Sequence, residues 1–272
     1  MAHNDFINAL RVLLFVSLIG IIRAQEDARI VNGKNAERGQ FLFSAVIIPT
    51  TTIAEAPEFC GGSLIAEQYV LSTCSCLYNV TGARVLLGTI FRENYRNDSN
   101  VMENEAAQFI YNNDFDEETL ENDIAIIFLR YEVTKSQFIF PINLPEANDD
   151  FDRRGAIVVG YGSTRNGGEP SDRLQFASME VISNGMCSMF YPGKVQRGNI
   201  CAIGRNMSST CTGDLGGGLK LDNDNVIIGV TTFFSDVFGC EMNYPVGFTR
   251  VSAYLGFIRK ELKRRRNGQT KV

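Results

Sequence analysis

Short stretches in which apolar residues alternate with polar ones, or run together for a few positions, recur along the whole chain: 41–48, 69–72, 84–90, 123–129, 156–161, 174–182, 226–234 and 246–251. Between them lie clusters of Gly, Asn and Asp, such as Asn166-Gly167-Gly168, whose backbone preferences end strands and seed turns. A period of two, broken at short intervals by turn chemistry, predicts an all-β sandwich or barrel. Only the C-terminal end changes period. There Tyr254, Leu255, Ile258 and Leu262 recur at helical spacing, so a helix is expected from Ser252 to Arg264, with Ser252 as its N-cap and closing Lys and Arg residues that complement the helix dipole. No repeat, low-complexity tract or Pro-rich linker marks separately folding units.

One apolar run does not fit this alternation. Residues 12–22 read VLLFVSLIGII, flanked by Arg11 and Arg23. That is shorter than the roughly 20 residues a membrane span needs. With Ala24 as the small residue before a cut, it reads as a secretory leader. Residues 1–24 are therefore expected to be a signal peptide, 25–29 a short pro-segment, and the destination extracellular, with no later segment suited to span a bilayer. This changes the reading of the cysteines. Seven in an oxidising compartment favour disulfides, and the odd count leaves one thiol over. It also gives meaning to three N-glycosylation sequons at Asn79, Asn97 and Asn206. Above all, the only histidine, His3, falls in the leader, so the mature chain is expected to have no imidazole.

The net charge of −5 hides a lopsided distribution. Positive charge gathers in the tail, residues 259–272, where Lys263, Arg264, Arg265 and Arg266 are consecutive, and the body is correspondingly acidic. Such a body does not suit a general nucleic-acid binder, whereas the tail suits glycosaminoglycan or another acidic surface. Nothing in the sequence calls for a metal or a cofactor.

The strongest signal is a series of motifs in a fixed order. Arg29-Ile30-Val31-Asn32-Gly33 opens the body, and Cys60-Gly61-Gly62-Ser63-Leu64-Ile65 follows with Tyr69-Val70-Leu71-Ser72 behind it. Then come Asn122-Asp123-Ile124-Ala125-Ile126, Gly160-Tyr161-Gly162, Asn199-Ile200-Cys201-Ala202 and Cys211-Thr212-Gly213-Asp214-Leu215-Gly216-Gly217-Gly218-Leu219. In this order and spacing they resemble the trypsin/chymotrypsin family of serine proteases, from Ile30 to about Ile258. The resemblance implies two six-stranded antiparallel β-barrels, about 30–140 and 141–250, with the site between them and a C-terminal helix outside. It implies disulfides Cys60–Cys76, Cys187–Cys201 and Cys211–Cys240, with Cys74 left as a free thiol that is either a buried small residue or a site of exchange or intermolecular bridging. It further implies cleavage after Arg29, which would free the Ile30 amine to pair with Asp214 and order the site loops.

The same alignment removes the chemistry. Where the family reads Thr-Ala-Ala-His-Cys, this chain reads Ser72-Thr73-Cys74-Ser75-Cys76, so Ser75 stands at the histidine position. Leu215 stands at the nucleophile, and only the acid survives, as Asp123. Leucine has no atom that attacks a carbonyl, and a serine hydroxyl is no general base near neutral pH. Asp123 is then either a catalytic remnant or a buried acid kept by the fold. The backbone donors at Gly213 and Leu215 could still make an anion-binding nest.

The resemblance also places Ser209, without charge, at the base of the primary pocket. Thr232, Phe233 and Phe234 stand where the family has Ser-Trp-Gly, and Val246 where it has glycine. Phe234 and Val246 are expected to fill the pocket, or Phe234 to turn outward as an apolar docking surface. The expected function is that of a secreted, inactive serine protease homologue of arthropod type, a binding or regulatory protein, cofactor or decoy of a proteolytic cascade. The alternatives are an active or residual serine-type endopeptidase and a carrier or anchor using the basic tail.

Overall fold

The computed structural model describes residues 30–31, 33–51, 57–146, 149–163, 165–235 and 237–266, excepting the side chains of Arg265 and Arg266. The expected signal peptide, pro-segment and Arg29 lie outside these residues, as does the tail beyond 266.

The strands run β1 (Lys34–Asn35), β2 (Ser44–Thr50), β3 (Cys60–Ala66), β4 (Tyr69–Ser72), β5 (Gly82–Leu87), β6 (Met102–Tyr111), β7 (Ala125–Leu129), β8 (Gly155–Gly160), β9 (Gln175–Ile182), β10 (Asn199–Gly204), β11 (Gly218–Leu221), β12 (Ile227–Phe233) and β13 (Val246–Arg250). Helices are few: α1 (Cys74–Leu77), α2 (Asn184–Phe190) and α3 (Leu255–Arg266). Strands β2-β3-β4-β7-β6-β5 close one antiparallel barrel. Strands β8-β9-β10-β13-β12-β11 close the second through the β8–β9 pairing, and β1 adds to the outside of β9. Closure leaves few unpaired edges, which is how a chain of short strands hides its backbone.

Each barrel fills its interior with its own inward-facing residues. Ile47, Leu64, Val70, Val85, Leu87 and Ile127 are fully buried in the first, and Val158, Met179, Ile200, Ala202, Ile228 and Phe248 in the second. A third cluster, which includes Phe43, Leu71, Ile124, Tyr161 and Val230, joins the two. Barrel-to-barrel backbone contacts run through 89–92 and 171–174, with Arg92 N donating to Asp172 O and Leu174 N to Ile90 O.

Two local expectations are corrected. Ser252 is not an N-cap: Val251–Tyr254 form a 3₁₀ turn before α3, and the Ser252 hydroxyl donates to Asp149 O. Helix α3 continues to Arg266, two residues past the expected end. Strand β6 escaped the hydrophobic pattern because it reads MENEAAQFIY, with its glutamates facing solvent.

Candidate functional site

The first barrel contributes one short helical turn. Strand β4 ends at Ser72, and α1 follows at once, held by the Cys60–Cys76 disulfide, so Ser75 faces the gap between the barrels. There it meets Asp123. The Ser75 N–H donates to Asp123 Oδ1 at 2.8 Å and its hydroxyl to Oδ2 at 2.7 Å. From the second barrel, Thr232 Oγ1 donates to the same Oδ2 at 2.5 Å, and Thr249 Oγ1 donates to the Asp123 carbonyl at 2.7 Å. Asp123 is fully buried. Burial raises its pKa, and the hydrogen bonds from Thr232 and Ser75 pull it back down. The carboxylate is thus satisfied by hydroxyl and amide donors, with no cationic group paired to it among the described residues.

The second barrel contributes the turn from Cys211 to Gly217, anchored at its centre by a buried carboxylate. Asp214 Oδ1 accepts from Gly162 N at 2.8 Å and Oδ2 from Cys211 N at 2.9 Å. Burial pushes its pKa up to about 6 against those two donors. The turn needs left-handed backbone at Gly213 (φ 98°), where a Cβ would also lie 2.9 Å from the Phe59 ring. Gly61 N donates to Leu215 O at 2.8 Å, tying the turn to the first barrel. The Leu215 side chain is half-buried and packs on the first-barrel cluster. Among the described residues, the N–H groups of Gly213 and Leu215 donate to no other group.

The expected activation partners are not brought together among the described residues: Asp214 sits at the centre of this turn, its carboxylate held by Gly162 and Cys211. Ile30 is fully buried in the second-barrel cluster, although the chain is uncut. Val31 pairs antiparallel with Ser209, and Ser209 N donates to Val31 O. A Cβ on Gly33 would come within 2.7 Å of Ile30 Cβ, so glycine is required for this entry into the barrel.

The pocket residues separate into a buried set and an open one. Ser209 is 2% exposed and its hydroxyl donates to Thr210 O. Val246 is fully buried beside Ile30 and Phe248. The Phe233 ring covers Gly247, meets Tyr191 edge-on at 5.4 Å and carries Lys194 Nζ at 4.8 Å. Phe234, by contrast, is half-buried and lines an open cavity of about 420 Å³ with Cys211, Thr212, Val237 and Phe238. Beyond it the rings of Phe238, Tyr244 and Phe190 touch in series at 4.8 and 5.4 Å.

The three disulfides implied by the resemblance are all present. Cys74 is free and buried, its thiol donates to Ile124 O, and burial pushes its pKa up to about 12, which leaves it unreactive. Asn79, Asn97 and Asn206 are exposed. In the tail Lys263 is exposed and Arg264 pairs with Glu261. No cluster among the described residues could hold a metal ion, and no helix among them is long and apolar enough to cross a membrane.

Sequence reasoning missed Thr249, which supports Asp123, and Gly247, on which Phe233 rests, and named Gly162 only within a motif, without its bond to Asp214. Thr249 and Gly247 stand in β13, and only cross-strand pairing brings them to the site.

Comparison with known proteins agrees with this layout. Residues 30–258 match the family model Trypsin. The chain is 32% identical over 238 residues to Collagenase of Hypoderma lineatum, covering 86% of this chain and 87% of that protein. It is 30% identical over 236 residues to Serine protease 1 of Drosophila melanogaster, covering 86% and 85%. A solved HL collagenase structure matches with a TM-score of 0.77 at 30% identity, over 89% of this chain and 100% of that one.

Proposed function

Because the chain belongs to the trypsin family, we propose that it is a secreted member without peptidase activity, one that acts by binding other proteins of an extracellular proteolytic system. The observation that carries this reading is the pair Ser75 and Leu215. The hydroxyl that stands where a base is needed spends its proton on Asp123, and the side chain that stands where a nucleophile is needed is an isobutyl group packed on the first barrel. With His3 in the leader, no imidazole remains to take over proton transfer. The relatives are named as proteases, so the loss belongs to this chain's two substitutions rather than to its fold.

The binding role draws on what is kept. In the turn from Cys211 to Gly217 the N–H groups of Gly213 and Leu215 have no acceptor among the described residues, and beside it the cavity walled by Phe234 and Phe238 is open. A peptide segment with an apolar or aromatic side chain fits that combination, held but not cut. The decisive experiment is incubation of the chain, processed after Arg29, with peptide libraries and a fluorophosphonate probe. We expect no turnover and no labelling. Turnover that disappears in Asp123→Ala would overturn the reading, because a contaminating peptidase would not respond to that change.

The carrier or anchor reading draws on the basic tail. Salt-dependent retention on heparin that is lost on deleting residues 263–272 would support it.

A further inference from the structure

The three asparagine sequons are not equivalent in the fold. At Asn206 the partner hydroxyl, Ser208, is 2% exposed and donates to Arg205 O and Ser178 O. At Asn97 the middle residue, Asp98, is an acid paired with Arg38. Asn79 shares its left-handed backbone (φ 58°) with Asn206, and like the other two it is exposed with a side-chain amide that makes no hydrogen bond among the described residues; it differs in what adjoins it in the turn that ends α1. Its sequon is completed by a threonine, Thr81, which is exposed where Ser208 is buried, although its hydroxyl also donates to a backbone carbonyl, Thr50 O. Directly before it, Tyr78 is 45% exposed and its ring meets that of Phe115 at 6.4 Å and 60°. An exposed aromatic ledge beside a free asparagine amide is a resting place for the apolar face of a sugar ring.

We infer that Asn79 carries an N-linked glycan whose first sugars lie on Tyr78 and Phe115 and roof the first-barrel rim of the cleft. Position matters because Ser75 lies four residues upstream, in the short helix α1 that ends at Leu77, two residues before Asn79. A branched oligosaccharide there closes approach from the first-barrel side and leaves the Phe234–Phe238 cavity, on the second barrel, as the open face for a protein partner. In the attachment step, Asn79 Nδ2 bonds to the anomeric carbon of a lipid-pyrophosphate-linked oligosaccharide. The sugar–phosphate C–O bond breaks, the lipid pyrophosphate leaves, and the amide loses one proton. The inference rests on the secreted reading above and not on the absence of catalysis.

The full chain, secreted from a eukaryotic host, supplies the test. Glycopeptide mass spectrometry should find Asn79 occupied and converted to Asp by an amide-cleaving glycosidase. Hydroxyl-radical labelling of Tyr78 and Phe115 should rise severalfold once the folded wild-type protein is deglycosylated, which requires no variant to fold. Asn79→Gln should show the same high labelling, whereas Asn97→Gln and Asn206→Gln should not. A bare Asn79 in the secreted protein, or equal labelling before and after deglycosylation, overturns the inference while leaving the binding role intact. A chain retained in the cytosol overturns the secreted reading and the glycan with it.

Discussion

At position 215 an isobutyl group stands where attack on a carbonyl requires oxygen or sulfur, and at 75 a hydroxyl donates to the acid that would otherwise orient an imidazole. Restoring both, Ser75→His with Leu215→Ser, is expected to give little cleavage after Arg or Lys, because Ser209 is buried with its hydroxyl donated to Thr210 O and offers no negative charge to a basic side chain. Robust cleavage after basic residues by this double variant would show that the pocket assignment is wrong. Adding Phe234→Gly, which widens the cavity that Phe234 lines, should improve activity toward apolar or aromatic residues first. Asp123 itself is held for structural reasons. Thr232→Val removes the shortest of its donors from a buried carboxylate and should cost about 1–3 kcal/mol in urea unfolding. A loss near zero would mean that Ser75 alone satisfies Asp123.

Among the elements, the contact between β12 and β13 is the one most sensitive to a single atom. Phe233 pairs with Gly247 across the ladder, and its ring occupies the volume a Cβ on Gly247 would need. Gly247→Ala should therefore destabilise by roughly 1–3 kcal/mol, as overpacking does, and Phe233→Leu in the same chain should recover part of the loss. Thermal unfolding of the two variants checks this, and additive losses would refute it. The strands themselves were only partly legible. Tyr69–Ser72 was read residue for residue because its apolar run is bounded by polar neighbours. Strands β3 and β6 were not, since glycines in one and glutamates in the other hide a pairing that depends on partners far along the chain. The Phe190–Tyr244–Phe238 ring series was equally invisible, because α2 and the 237–244 loop are distant in sequence.

For the whole molecule, the buried acids set the response to pH. The Asp214 carboxyl, at about 6 in the fold against an ordinary 3.8, binds its proton more tightly folded than unfolded. Its contribution therefore favours folding below about pH 4 and is lost as pH rises through about 6, a change of at most about 3 kcal/mol. Burial shifts Asp123 in the same direction. Urea titrations of the uncut chain between pH 4 and 7 should show this fall, and Asp214→Asn should flatten it. Cleavage after Arg29 places an ammonium at Ile30, and a buried carboxylate that gains such a partner is strongly favoured in its charged form. The cleaved form should then lose the Asp214 part of the slope, and amide protection across 211–219 should rise. Equal exchange before and after the cut would mean that Ile30 and Asp214 are inherited packing, consistent with an Ile30 already buried in the uncut chain.

By itself the sequence determined the class of fold, the disulfide partners once the family resemblance was recognised, and the chemical content of the centre. The sole imidazole stands at His3, in the expected leader, and a leucine stands at 215; these are matters of sequence that no packing can reverse. Only the tertiary structure decided what surrounds that centre. It turned Asp123 into a carboxylate satisfied by Ser75 and Thr232, left Phe234 on the wall of an open cavity while Val246 is buried, and brought Tyr78 and Phe115 together beside Asn79. The physical reason is that side-chain identity is local, whereas hydrogen-bond partners, burial and free volume are set by strands paired across the closure of two barrels.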